Sequence, residues 1–200
     1  MGVCDLGYVE VVTASRIQEV IDGKLGWTEV DLLDINDRSS ELVRNSLEEF
    51  GIRVNYIPIG QSRHLVAALG GERPVAPYVI VSCHGSDGRI RLQELGGPVA
   101  DAQPFLDELG PEHVREYLRI PGSTVICTGC DTGDEALAQA FLSAGAARYF
   151  APTDSPDGHS AFLAVLLLFY ELTAGHDLGY AVDRVRGYDE ELSMWKLWAR

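Results

Sequence analysis

The chain has 200 residues, 46% hydrophobic and 23% charged, a composition that excludes a disordered polymer and suits one folded domain with a sizeable core. Its 30 acidic side chains against 16 basic ones leave a formal net charge of −14, which argues against partnership with nucleic acid or an anionic membrane surface. The opening M-G-V-C-D-L-G has neither the basic segment nor the apolar core of a signal peptide, and the most apolar run, residues 161–170, is too short to cross a bilayer. With no secretion signal, the four cysteines are expected as free thiols in a reducing, cytoplasmic compartment.

Strand and helix patterns alternate along the chain, which predicts a mostly parallel central sheet with helices on both faces, one α/β domain over residues 1–200. Two early strand candidates compete, at 8–13 and 29–35. A helix follows with Asp37 as N-cap, an apolar face of Leu42, Val43, Leu47 and Phe50, and Gly51 at its end. Next come a strand over 53–59 and a short helix over 62–69. The run P-Y-V-I-V-S-C at 77–83 is apolar almost throughout, as a central parallel strand must be, and it stops at His84-Gly85. D-G-R-I-R-L then suggests a small hairpin turned by Asp87, followed by a loop-rich 94–110 and a helix near 112–118. S-T-V-I-C is a second central strand. A helix over 134–144, a strand over 147–151, a turn holding Pro152 and Pro156, a buried helix over 159–173 and a helical tail over 178–199 complete the chain.

Two motifs sit where central strands give out: H-G-S-D-G at 84–88 and G-C-D-T-G at 129–133. Ligands of open α/β sheets gather at the carboxyl edge, so His84 and Cys130 face one cleft if the strands ending at Cys83 and Cys127 are neighbours. An imidazole beside a thiol can take its proton and later protonate a leaving amine. Glycines beside each candidate allow close backbone approach, and the amides of Gly85 and Cys130 suit an oxyanion hole. The C-x-x-C spacing of Cys127 and Cys130 also fits a thiol–disulfide site, and Cys83, His84, Cys127 and Cys130 are zinc-ligand types. Against these, Cys127 lies inside a strand rather than at a helix start, and adjacent strand residues such as Cys83 and His84 point to opposite faces.

The ordered pair V-I-V-S-C-H-G and V-I-C-T-G-C-D-T-G, followed by A-L-A-Q-A-F-L-S-A-G-A at 136–146, resembles the caspase-like (clan CD) cysteine peptidases. It is most similar to the CHAT-domain and separase-like bacterial members. F-A-P-T-D-S-P-D-G-H and L-L-L-F-Y-E-L-T-A-G extend the resemblance over roughly residues 77–185. Thr128-Gly129 stands where CHAT domains usually have Ser-Ala.

The resemblance implies a caspase-like three-layer fold and an intracellular bacterial endopeptidase that needs no cofactor or metal. It makes Cys130 the nucleophile, His84 the general acid/base, and the Gly85 and Cys130 amides the oxyanion donors. It further implies that Asp154, or Asp157 in reserve, selects a basic P1 side chain by charge pairing. It also implies a protein or peptide substrate and a latent state relieved by a partner or by cleavage within 88–122. The same resemblance is compatible with a catalytically silent caspase-like scaffold, since a fold alone does not specify chemistry.

Overall fold

A computed structural model describes residues 16–24 and 29–200 of the chain; the strand candidate at 8–13, and Cys4, lie outside the described residues. After a short helix α1 (Arg16–Ile21), the chain runs β1 (Glu29–Ile35), α2 (Ser40–Glu49), β2 (Arg53–Pro58), α3 (Ser62–Leu69) and β3 (Tyr78–Cys83). An excursion follows: β4 (Gly85–Ser86), β5 (Arg89–Arg91), α4 (Gly97–Asp101), β6 (Glu108–Leu109) and α5 (Pro111–Tyr117). The second half holds β7 (Thr124–Cys127), α6 (Glu135–Ser143), β8 (Arg148–Pro152), α7 (Gly158–Thr173), α8 (Leu178–Arg186), α9 (Glu190–Ser193) and β9 (Trp195–Ala199).

The main sheet has the order β2-β1-β3-β7-β8-β9, parallel except for β9, which runs antiparallel to β8. Side chains alternate faces along each strand and divide the core in two. Leu33, Ile35, Val79, Val81, Val125, Cys127 and Tyr149 meet α3, α5 and α6 on one side. Val30, Leu32, Ile80, Ile126 and Phe150 meet α2, α7 and α8 on the other. Helices therefore cover both faces, and the inner strands are apolar on both because neither face meets water.

Three expectations need correction. The tail is not helical to its end: Trp195–Ala199 is an edge strand, with buried Trp195 alternating with exposed Lys196. Leu42 is 58% exposed and lies off the core face that Val43 and Leu47 form. Asp37 is not the N-cap of α2 but precedes Ser39, whose amide and hydroxyl both donate to its Oδ1 at 3.0 and 2.7 Å. The loop-rich stretch at 94–110 holds α4 and β6, and β6 joins the hairpin β4–β5 in a separate small sheet. That hairpin turns at Asp87 and Gly88, both at positive φ, as its D-G pair requires.

Candidate active site

The strand order decides where a ligand can sit. From β1 the chain crosses by α2 to β2 on one side, then returns by α3 to β3 on the other, the two helices lying on opposite faces. The carboxyl ends of β1 and β3 therefore flank a switch point, where the connecting loops part and leave a crevice. β3 and β7 are direct neighbours, with Val81 beside Cys127, so the loops after Cys83 and Cys127 leave the sheet side by side.

Several contacts hold these loops together. Thr128 donates its amide to the Val81 carbonyl at 3.1 Å, and its hydroxyl accepts from the Cys83 amide at 3.1 Å. Gly85 and Gly129 then pass backbone to backbone. A Cβ at Gly129 would lie 2.9 Å from the Gly85 nitrogen and 3.0 Å from the Cys83 sulfur, while one at Gly85 would strike the Cys130 carbonyl and lie 2.6 Å from Thr132. No other residue type permits this approach.

The G-C-D-T-G turn reverses at Asp131, whose φ of +58° is strained for any residue but Gly and best tolerated by Asn or Asp. Beneath it, Thr132 Oγ1 donates to the Gly129 carbonyl at 2.6 Å, and the buried Tyr149 hydroxyl donates to the Thr132 carbonyl at 2.9 Å. The amides of Asp131, Thr132, Gly133 and Asp134 each go to a protein carbonyl; that of Cys130 goes to none among the described residues. Asp134 caps α6, accepting from Ala136 and Leu137, so that helix start is occupied by its own carboxylate.

A cleft of about 200 Å³ opens at this edge. His84 and Cys130 both line it, with Cys83, Thr128, Pro156 and Asp37. His84 is exposed and Cys130 half-buried, its Sγ 4.0 Å from the Pro156 carbonyl oxygen. Cys127 is separate: it is fully buried, with its sulfur 3.5 Å from that of Cys83. The two members of the C-x-x-C thus have different neighbours, one in the core and one at the cleft. Burial pushes the Cys83 thiol well up, and the Cys127 sulfur beside it acts in the same direction. Among the described residues, no three His, Cys, Asp or Glu side chains converge as a metal site.

The carboxylates expected to read P1 lie around the cleft rather than on its lining. Asp154 is exposed; its carbonyl accepts from the Asp131 amide at 3.0 Å and its Oδ1 from the Ser155 amide at 2.8 Å. Asp157 caps α7, accepting from the His159 amide at 2.8 Å and lying 2.9 Å from His159 Nδ1; these bonds hold its carboxyl below the usual range.

The carboxylate that does line the cleft is Asp37, which sequence reasoning assigned only to helix capping. Its Oδ2 accepts from Ser82 Oγ at 2.7 Å, a residue on the neighbouring strand β3. The pairing spans 45 residues of sequence, and the only local signal was an Asp just beyond the carboxyl end of a predicted strand.

No protein-family model and no curated protein sequence matches this chain. Solved structures do. Gingipain R, described as an Arg-specific cysteine proteinase, superimposes with a TM-score of 0.58 at 12% identity over 86% of this chain. The pro- and mature-domain complex of the Porphyromonas gingivalis enzyme gives 0.57 at 13%, and Saccharomyces cerevisiae separase, bound to securin, gives 0.51 at 8%. The chain has the caspase-like fold. It spans 46% of the gingipain R chain and 12% of the separase chain. At identities of 8–13% this likeness shows the fold, and function is argued from the site. No described helix is long and apolar enough to cross a membrane.

Proposed function

We propose that residues 1–200 form a single CHAT-like cysteine endopeptidase unit, bacterial and intracellular, in which Cys130 is the nucleophile and His84 its acid/base partner. The observation that carries this reading is the cleft at the β1/β3 switch point, lined by both residues. His84 takes the thiol proton as the Cys130 sulfur attacks the scissile carbonyl, and returns it to the leaving amine. The Gly85 and Cys130 amides receive the oxyanion, a contribution of roughly 3–4 kcal/mol per donor in acyl transfer. Water, deprotonated by His84, then cleaves the thioester and regenerates the thiol.

The substrate is a protein or peptide with Arg or Lys at P1. Asp37, fixed on the cleft lining by Ser39 and Ser82, supplies the pairing charge. Asp154, bonded through its carbonyl to the nucleophile turn, and Asp157, on the adjoining groove, add to the negative field. An activating partner, or processing within 88–122, releases the latent enzyme.

The test is hydrolysis of fluorogenic peptides bearing Arg, Lys, Ala or Asp at P1. Turnover restricted to Arg and Lys, abolished by Cys130→Ala and relaxed in preference by Asp37→Asn, supports the assignment. Turnover that persists in Cys130→Ala refutes it, and inactivity towards every peptide both before and after limited proteolysis within 88–122 favours a silent scaffold.

A further inference from the structure

The exposure of Leu42 has a counterpart across a groove. The first turns of α2 and α7 lie side by side and enclose a space of about 390 Å³, with Leu42 on one wall and the half-buried Phe162 on the other. A single exposed leucine calls for no explanation. Here, however, the apolar space is continuous with the cleft, because Asp37, Ser39 and Gly158 line both. At that seam Gly158 carries no side chain and has open space where a Cβ would point. Asp157 is paired with His159, Asp37 accepts from Ser39 and Ser82, and the Arg38 cation lies on the same lining.

We infer that this groove is a second substrate subsite, taking a large apolar side chain, of Leu or Phe size, from the same peptide whose basic residue lies at Asp37. This rests on the peptidase reading of the cleft. An extended peptide advances about 3.3 Å per residue and sends alternate side chains to opposite sides, so a residue close to P1 reaches the neighbouring groove without a turn. Burying such a side chain between Leu42 and Phe162 removes apolar surface from water, and a pocket of this kind separates a large apolar residue from Ala by roughly tenfold or more. The substrate class is therefore a segment with one basic and one large apolar residue near the cleaved bond, not a basic residue alone.

Two measurements test this, one with chemistry and one without. Peptidyl acyloxymethylketones with Arg at P1 carry Ala, Leu or Phe in turn at P2, P3 and P4, and the rate of labelling is followed. At one position Leu or Phe is expected to exceed Ala by roughly tenfold, and the ratio to fall towards one in Leu42→Lys and in Gly158→Leu. Leu42 is mostly exposed and Gly158 has free space above it, so both variants should keep the wild-type melting curve.

Binding of the corresponding uncleaved peptides to Cys130→Ala is then measured by calorimetry, where the same ratio and its loss are expected. Absent labelling with the binding ratio intact rejects the peptidase and keeps the subsite. Labelling with no apolar preference, a preference untouched by both substitutions, or no measurable binding overturns the subsite.

Discussion

Asp31 and Asp37 lie near opposite ends of β1 and serve opposite ends. Asp31 is fully buried towards the amino edge of the sheet, where it accepts from Arg73 at 2.6 Å, Asn55 at 2.9 Å and the Ala76 amide at 3.1 Å. All its bonds pin the 70–77 loop and β2 to β1. Asp37, past the carboxyl end, is only half-buried, is steadied by Ser39 and Ser82, and faces the space that His84 and Cys130 share. The amino edge uses its polar groups to close the fold. At the carboxyl edge, polar groups are held in place yet left accessible, beside a strained Asp131 and two glycines in backbone contact. Stability and the proposed chemistry are separated by the length of one strand.

If that division is real, substitutions at the two edges have different signatures. Cys130→Ala should lower peptide hydrolysis by about four orders of magnitude or more, and His84→Ala by roughly two to four, each leaving the thermal midpoint near wild type. Asp31→Ala should do the reverse. It strands the Ala76 amide and one face of Asn55 and frees Arg73, and should cost about 3 kcal/mol in denaturant unfolding, while the protein that remains folded keeps its turnover. Equal losses of activity and stability at both edges would dissolve the comparison.

Gly129→Ala sharpens it, because this residue belongs to both regions. Its Cβ would press on the Gly85 amide and the Cys83 sulfur, so about 1–3 kcal/mol of stability should be lost together with activity as the loops part.

The smallest expected effect is alkaline. Cys83 is held protonated by burial, and its thiol pKa is raised above the ordinary value of 9.0. Its contribution is fully present below about pH 9 and lost as pH rises through the folded-state value, because the unfolded chain releases that proton first. Melting temperature should fall above pH 9, and less steeply in Cys83→Ala. Tyr149, raised by burial and by the neighbouring thiols, adds a decline of the same sign above pH 10.

Much of this was legible in the sequence where local pattern and tertiary role coincide. The runs Y-V-I-V-S-C and T-V-I-C are apolar because helices cover both sheet faces, and each ends at a residue that lines the cleft or at the turn leading to one. The separation of Cys127 from Cys130 followed from the same strand boundary. What was not legible depends on partners far away in sequence. Asp37 is defined by Ser82 on another strand, and Leu42 by Phe162 on another helix. The period of α2 places Leu42 beside the core stripe, but only the position of α7 decides that it faces a groove. β9 was hidden because five residues at the end of a helical stretch show alternation only once β8 is there to pair with them.

The central claim is that Cys130 alone among the described thiols meets substrate, and that it does so with His84. Mass-spectrometric mapping of the residue modified by an Arg acyloxymethylketone tests it directly. The account predicts a single adduct on Cys130, with Cys83 and Cys127 unmodified, formed at least a hundredfold more slowly in His84→Ala, in keeping with the roughly 10²–10⁴ that a positioned acid/base contributes. An adduct on another residue, or a rate on Cys130 indifferent to His84, would contradict it.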